Sequence, residues 1–88
     1  MLQDHIIVGV HITDRVKHAV EVQNILTEYG CHIKTRLGLH ELAEGDSCSP
    51  SGLVIVEFVG SKACCDDFCA RIRAVEGVGV QAMTFGHP

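Results

Sequence analysis

Apolar residues change their spacing in a fixed succession along this chain, and that succession limits the folds open to it. Over HIIVGVHI, 5–12, they alternate: Ile6, Val8, Val10 and Ile12 fall on one face, and His5, Ile7, Gly9 and His11 on the other. From about Arg15 to Tyr29 the step becomes three and four residues, through Val16, Ala19, Val22, Leu26 and Tyr29, which predicts a helix. Thr13 and Asp14 are N-cap residue types, and Gly30 is expected to close the helix in a left-handed conformation. Alternation returns over CHIKTRLGLH, 31–40, with Ile33, Thr35, Leu37 and Leu39 on one face and His32, Lys34, Arg36, Gly38 and His40 on a basic outer face.

The succession then repeats. ELAEGDSCSPSG, 41–52, has no period and reads as a long hairpin loop. LVIVEFV, 53–59, is β-branched and almost wholly apolar, as expected of a central strand. Ser61 is placed to cap a helix over 62–75, Gly77 to end it, and VGVQAMTF, 78–85, to form the last strand. The order β-α-β-β-α-β, with right-handed crossovers, predicts an α+β, ferredoxin-like fold: a four-stranded antiparallel sheet in the order 4-1-3-2 with two helices on one face. At 88 residues, one domain spanning 1–88 is expected.

Helices on one face leave the other open. Ile7, Leu53, Ile55 and Val59 are expected there, joined by Met83 and Phe85, and an apolar patch of that extent is expected to be an interface in a homodimer or higher homo-oligomer. Seven basic residues scattered among eleven acids give a net charge of −4 and no basic footprint, so direct nucleic-acid binding is not expected. No run of 18 apolar residues predicts a membrane span. Five cysteines without a basic, signal-like N-terminus point to free thiols in a reducing cytoplasm.

The stretch CCDDFC, 64–69, concentrates chemistry-bearing residues. On a helical wheel, Cys65, Phe68 and Ile72 fill an apolar arc with Cys64 and Cys69 at its edges, while Asp66, Asp67, Arg71 and Arg73 lie outside it. Free cysteine behaves as a small hydrophobe, so core packing accounts for all three thiols. Cys65 and Cys69, four residues apart, are also spaced to share a soft metal, but no second close Cys or His pair completes a structural zinc set. His5 and His11 are six residues apart, about 20 Å along a strand, too far to share one ion within a chain. No metal site and no cofactor is therefore expected within one chain, although a metal- or redox-sensing arrangement of His and Cys across a subunit interface remains an alternative. The sequence contains no nucleophile elbow, zinc-protease helix, phosphate-binding loop or dinucleotide fingerprint, so no catalytic residue and no enzyme activity is expected.

One resemblance covers nearly the whole chain. The segment 8–41 resembles the first half of ACT-like domains, and in particular the small regulators of the iron-only hydrogenase system: a strand, a helix ending near Gly, then Arg36, Leu37, Gly38 and Leu39 followed by acidic Glu41. The second half is similar too, closing on Gly77, Val78, Gly79 and Val80. The resemblance implies a ferredoxin-like fold, self-association and a regulatory rather than catalytic role; the expected function is that of a stand-alone regulatory module acting by binding a small-molecule effector or a protein. Asp14-Arg15 is followed here by Val16-Lys17, where amino-acid-binding ACT domains often carry Pro-Gly. The His-x-His pair of nickel-responsive repressors is replaced by Val78-Gly79-Val80.

Overall fold

A computed structural model describes residues 4–13, 19–42 and 48–86. Four strands and two helices follow in the expected order: β1 (His5–Ile12), α1 (Ala19–Glu28), β2 (Ile33–Leu42), β3 (Cys48–Phe58), α2 (Lys62–Arg73) and β4 (Val78–Phe85). The strands form one antiparallel sheet in the order β2-β3-β1-β4, which is the predicted 4-1-3-2 read from its other edge. This is a ferredoxin-like βαββαβ arrangement.

The core lies between the sheet and the helices. Ile6, Val8 and Val10 of β1 alternate with Ile7 and Gly9, and every second residue is buried. Val8 pairs with Val56 and Val10 with Val54, so the central strands present one continuous apolar surface. Val22, Ile25 and Leu26 of α1 and Cys65, Phe68, Cys69 and Ile72 of α2 complete the buried cluster. Phe58 and Phe68 are fully buried with ring centroids 5.3 Å apart, and Tyr29 lies 5.2 Å from Phe68. Offset aromatic contacts of this kind stabilise by about 0.5–1.5 kcal/mol beyond the area they bury.

The helix boundaries follow local chemistry. The Ser61 hydroxyl accepts from the Cys64 amide at 3.1 Å, the expected cap of α2. Arg71 and Arg73 lie in its last turn, where the helix dipole favours cations. Gly77 has φ +85°, a conformation costly to any residue with a Cβ, and its carbonyl receives both the Thr13 hydroxyl (2.7 Å) and the Thr13 amide (3.1 Å). The end of β1 is thereby pinned to the turn that leads into β4. Of the expected N-cap residues Thr13 is described and Asp14 is not, and the expected first turn of α1, 15–18, also lies outside the described residues.

Three local expectations are corrected. Gly30 does not adopt a left-handed cap; α1 runs instead into a 3-10 helix over Gly30–His32. The hairpin is shorter in loop and longer in strand than its composition suggests, since Leu42 pairs with Cys48 and only 43–47 fall between the strands. Backbone pairing with β2 overrides the turn-like composition of the stretch from Cys48 to Gly52. The third correction concerns register. Ile33 pairs with Phe58 but Thr35 with Glu57, so Lys34 is an extra residue, a β-bulge. Side chains beyond the bulge exchange faces, because the period of a strand is two. Ile33 stays against the core, whereas Arg36 comes to the helix side and donates to Gln23 Oε1 of α1 at 2.9 Å. Leu37, expected opposite the basic residues on the core-facing side, pairs with Ile55 on the open side.

The fully buried Phe68 joins both helices to the sheet. Phe68→Ala is expected to cost about 3–5 kcal/mol. Urea denaturation would show this as a lower midpoint with little change in slope.

Candidate functional site: the open face of the sheet

Since the cluster of α1 and α2 covers one face, the residues of opposite parity define the candidate site. Ile7, Leu53 and Ile55 are half-buried and line a shallow concavity of about 850 Å³, with Gly9, Gln81 and Met83 around them. Ile7 pairs with Met83 and Gly9 with Ile55, so the central strands supply the floor. Glycine at position 9 keeps the middle of that floor low: a Cβ there would meet nothing closer than the Gln81 carbonyl at 3.8 Å. Met83 is 56% exposed and Phe85 55%. Leu37, 53% exposed, extends the apolar surface toward β2. Its contribution was hidden in the sequence, because nothing around Lys34 announces a bulge.

Val59, grouped with these residues by alternation, lies one position beyond β3 and does not line the concavity. Its amide donates to the His32 carbonyl at 2.6 Å, and its carbonyl accepts from His32 Nδ1 at 2.8 Å. That acceptor fixes the proton on Nδ1. His32 is therefore not on an outer strand face as alternation predicts; it sits in the 3-10 turn, stacked on Phe58 at 5.5 Å and 10° between planes. Gly60, at φ +152°, permits this approach, since a Cβ there would lie 3.0 Å from His32 Nδ1 and 3.2 Å from Phe58.

The motif residues divide between the two sides of the sheet. Arg36 reaches α1, Leu37 lies on the open face, and Gly38 and Leu39 pair with Val54 and Leu53. Glu41 and His40 belong to β2, with side chains outside the described residues.

Polar chemistry on the open face centres on Glu57. His5 Nδ1 lies 2.9 Å from its Oε2. This hydrogen bond holds the Glu57 carboxyl below its ordinary value; burial opposes it, and the charges of Lys34 and His5 add smaller lowering effects. His11 lies further along the same face, paired in register with Leu53. Among the described residues, no three His, Cys, Asp or Glu side chains are grouped closely enough to hold a metal ion.

The thiols of 64–69 lie across the sheet from this face. Cys65 and Cys69 are buried in the core, Cys64 is half-buried, and Asp66 and Asp67 face solvent. Burial pushes the Cys65 thiol up to about 12, and the neighbouring Cys69 adds to the effect. A thiol so raised supplies almost no thiolate near neutrality. Cys31, in the 3-10 turn, is exposed.

The elements and their order define the fold class, and solved structures share it. The uncharacterized protein TM1266 from Thermotoga maritima superposes with a TM-score of 0.79 at 15% identity, over 96% of this chain and 100% of that one. CPII, a nitrogen regulatory PII-like protein from Thiomonas intermedia K12 bound to ADP, AMP and bicarbonate, gives 0.58 at 15% identity, over 100% of this chain and 99% of that one. At this identity the likeness is one of fold. No family model matches the sequence, and no curated protein matches it.

Two predictions follow from the electrostatics of the site. Because the folded-state value of Glu57 is depressed below 4.5, its contribution to stability is present above that value and is lost as pH falls through the folded-state value. Glu57→Gln should flatten the fall in stability between about pH 5 and pH 3, measured by urea titration at each pH. For the thiols, labelling of the native protein near pH 8 should show Cys31→Ser removing a full thiol from the fast phase. Cys65→Ser and Cys69→Ser should leave that phase unchanged.

Proposed function

We propose that this chain is a stand-alone, non-catalytic regulatory module of one ACT-like domain, which self-associates through its open sheet face and acts by binding a small-molecule effector or a protein partner. The observation that carries the reading is the apolar open face: Ile7, Leu53 and Ile55 around the concavity, flanked by exposed Leu37, Met83 and Phe85. Exposed apolar area concentrated in one patch is what a subunit interface buries. The shallow, glycine-floored concavity, with no cluster of metal-ligand side chains among the described residues, is more suited to binding than to bond-making.

A regulatory role is supported by the resemblance carried on Arg36, Leu37, Gly38, Leu39 and Glu41, which directs the proposal to an iron-only hydrogenase system in the cytoplasm. A small-molecule effector is in keeping with the binding of ADP and AMP by CPII, a protein of the same fold. No described helix is long and apolar enough to cross a membrane.

Sedimentation of the untagged protein at micromolar concentration should give at least twice the chain mass. Ile55→Lys places a charge at the centre of the patch. It should weaken association roughly 30-fold or more, the effect expected of a hot-spot position, while the circular dichroism spectrum stays native. A monomeric wild-type protein, or unchanged association in the variant, would overturn the reading.

A further inference from the structure

Two glycines stand diagonally next to each other on the open face. Gly9 of β1 pairs with Gln81 of β4, and Gly79 of β4 pairs with His11 of β1. Glycine weakens a strand interior, and where it occurs there it commonly marks a bulge or the close approach of another molecule. The register of β1 with β4 runs without a bulge. Neither glycine has a positive φ, and a Cβ on either would meet nothing nearer than 3.8 Å. The fold itself therefore does not demand glycine at 9 or 79. What the pair provides is a bare floor at the end of the concavity bordered by β4.

Arg73 closes that end. It belongs to α2, on the helix side of the sheet, yet it lines the concavity on the opposite side. Its side chain passes round β4, an edge strand, where Nη2 donates to the Val80 carbonyl at 3.2 Å. A guanidinium carries several N–H donors, so this bond anchors the group and leaves most of its fork for another acceptor. No ion pair joins Arg73 to a described carboxylate. Among the described residues lining the concavity it alone carries a permanent charge. Gln81, one residue beyond Val80 and on the open face, presents a carboxamide that makes no hydrogen bond to a described residue. Away from this corner the lining is apolar, through Ile7, Leu53, Ile55 and Met83.

We propose that the concavity binds a small organic monocarboxylate, its carboxylate taken by Arg73 and Gln81 and its apolar body laid over Gly9 toward Ile7 and Ile55. The planar fork of a guanidinium matches a carboxylate in two parallel hydrogen bonds. One fixed positive charge, in a chain of net charge −4, favours a single negative charge over the nearly double charge of a phosphate monoester. The volume of about 850 Å³ is in the range of small-molecule sites. The inference rests on the proposed reading of the open face as a binding surface and names the class of ligand that face takes.

Sodium decanoate is the probe, titrated calorimetrically into the untagged full chain near neutrality, with decyltrimethylammonium and decyl phosphate as head-group controls on the same tail. Decanoate should bind at least about tenfold more tightly than decyltrimethylammonium, the difference expected of charge-assisted hydrogen bonds. Arg73→Gln should reduce that preference to about threefold or less, whereas Arg73→Lys, which keeps the charge and loses the fork, should retain part of it. Gly9→Val, which raises the floor with a good strand former, should weaken decanoate about tenfold without lowering the urea midpoint. No binding of decanoate, equal binding of anion and cation, a preference unchanged in Arg73→Gln, or tighter binding of decyl phosphate would overturn the proposal. Sedimentation of the same samples separates it from self-association. A chain that self-associates but binds no decanoate overturns the ligand alone. Arg73-dependent binding by a monomer upholds the ligand and overturns association through the face.

Discussion

Two helices can cover only one face of a four-stranded sheet, and the rest of this molecule follows from that constraint. The contact that enforces it is the stack of Val8, Val10, Val56 and Phe58 beneath α1 and α2, with Phe68 driven into its centre. Apolar burial of roughly 25 cal/mol per Å² is spent on this side alone. Alternation then delivers every intervening residue of β1 and β3 to the other side, where no element of the described chain covers them. The surface that most invites a partner is therefore a consequence of how the core is built.

The same one-sidedness sorts the chemistry. The cysteine-rich start of α2 faces the core, so its thiols are packing residues with a raised pKa at Cys65, and its carboxylates are solvated. Among the described residues, the polar groups near the candidate interface include His5 with Glu57, Thr35, His11, Gln81 and, at the rim, Arg73. Such a surface can fix the orientation of a partner by one or two polar contacts while apolar area supplies the affinity. Similarity of fold to TM1266 and CPII shows that chains of about this length adopt the same arrangement at 15% identity, which is what a fold held by pattern rather than by particular residues allows.

Much of this was legible in the chain. Strict alternation in β1 fixed which residues are buried, the helical step in α2 placed Cys65, Phe68, Cys69 and Ile72 inward, and Ser61 marked where that helix begins; the helix ends earlier than expected, with Ala74 as its C-cap, and Gly77 instead makes the left-handed turn into β4. These features rest on local periodicity and local backbone chemistry. The edge of the open face was less legible: Ile7, Leu53 and Ile55 followed from alternation, but Leu37 and the true place of His32 did not.

The order of elements, the inward faces of β1, β3 and α2, and the existence of an uncovered face were determined by the sequence alone, because hydrophobic period depends on nothing beyond the neighbouring residues. Tertiary structure decided the rest. The bulge at Lys34 exists only in the pairing of β2 with β3, and it moved Arg36 to the helices and Leu37 to the open side. The continuation of both strands toward the hairpin likewise depends on backbone partners that lie on another strand. Register is a relation between two segments, and no single segment carries it.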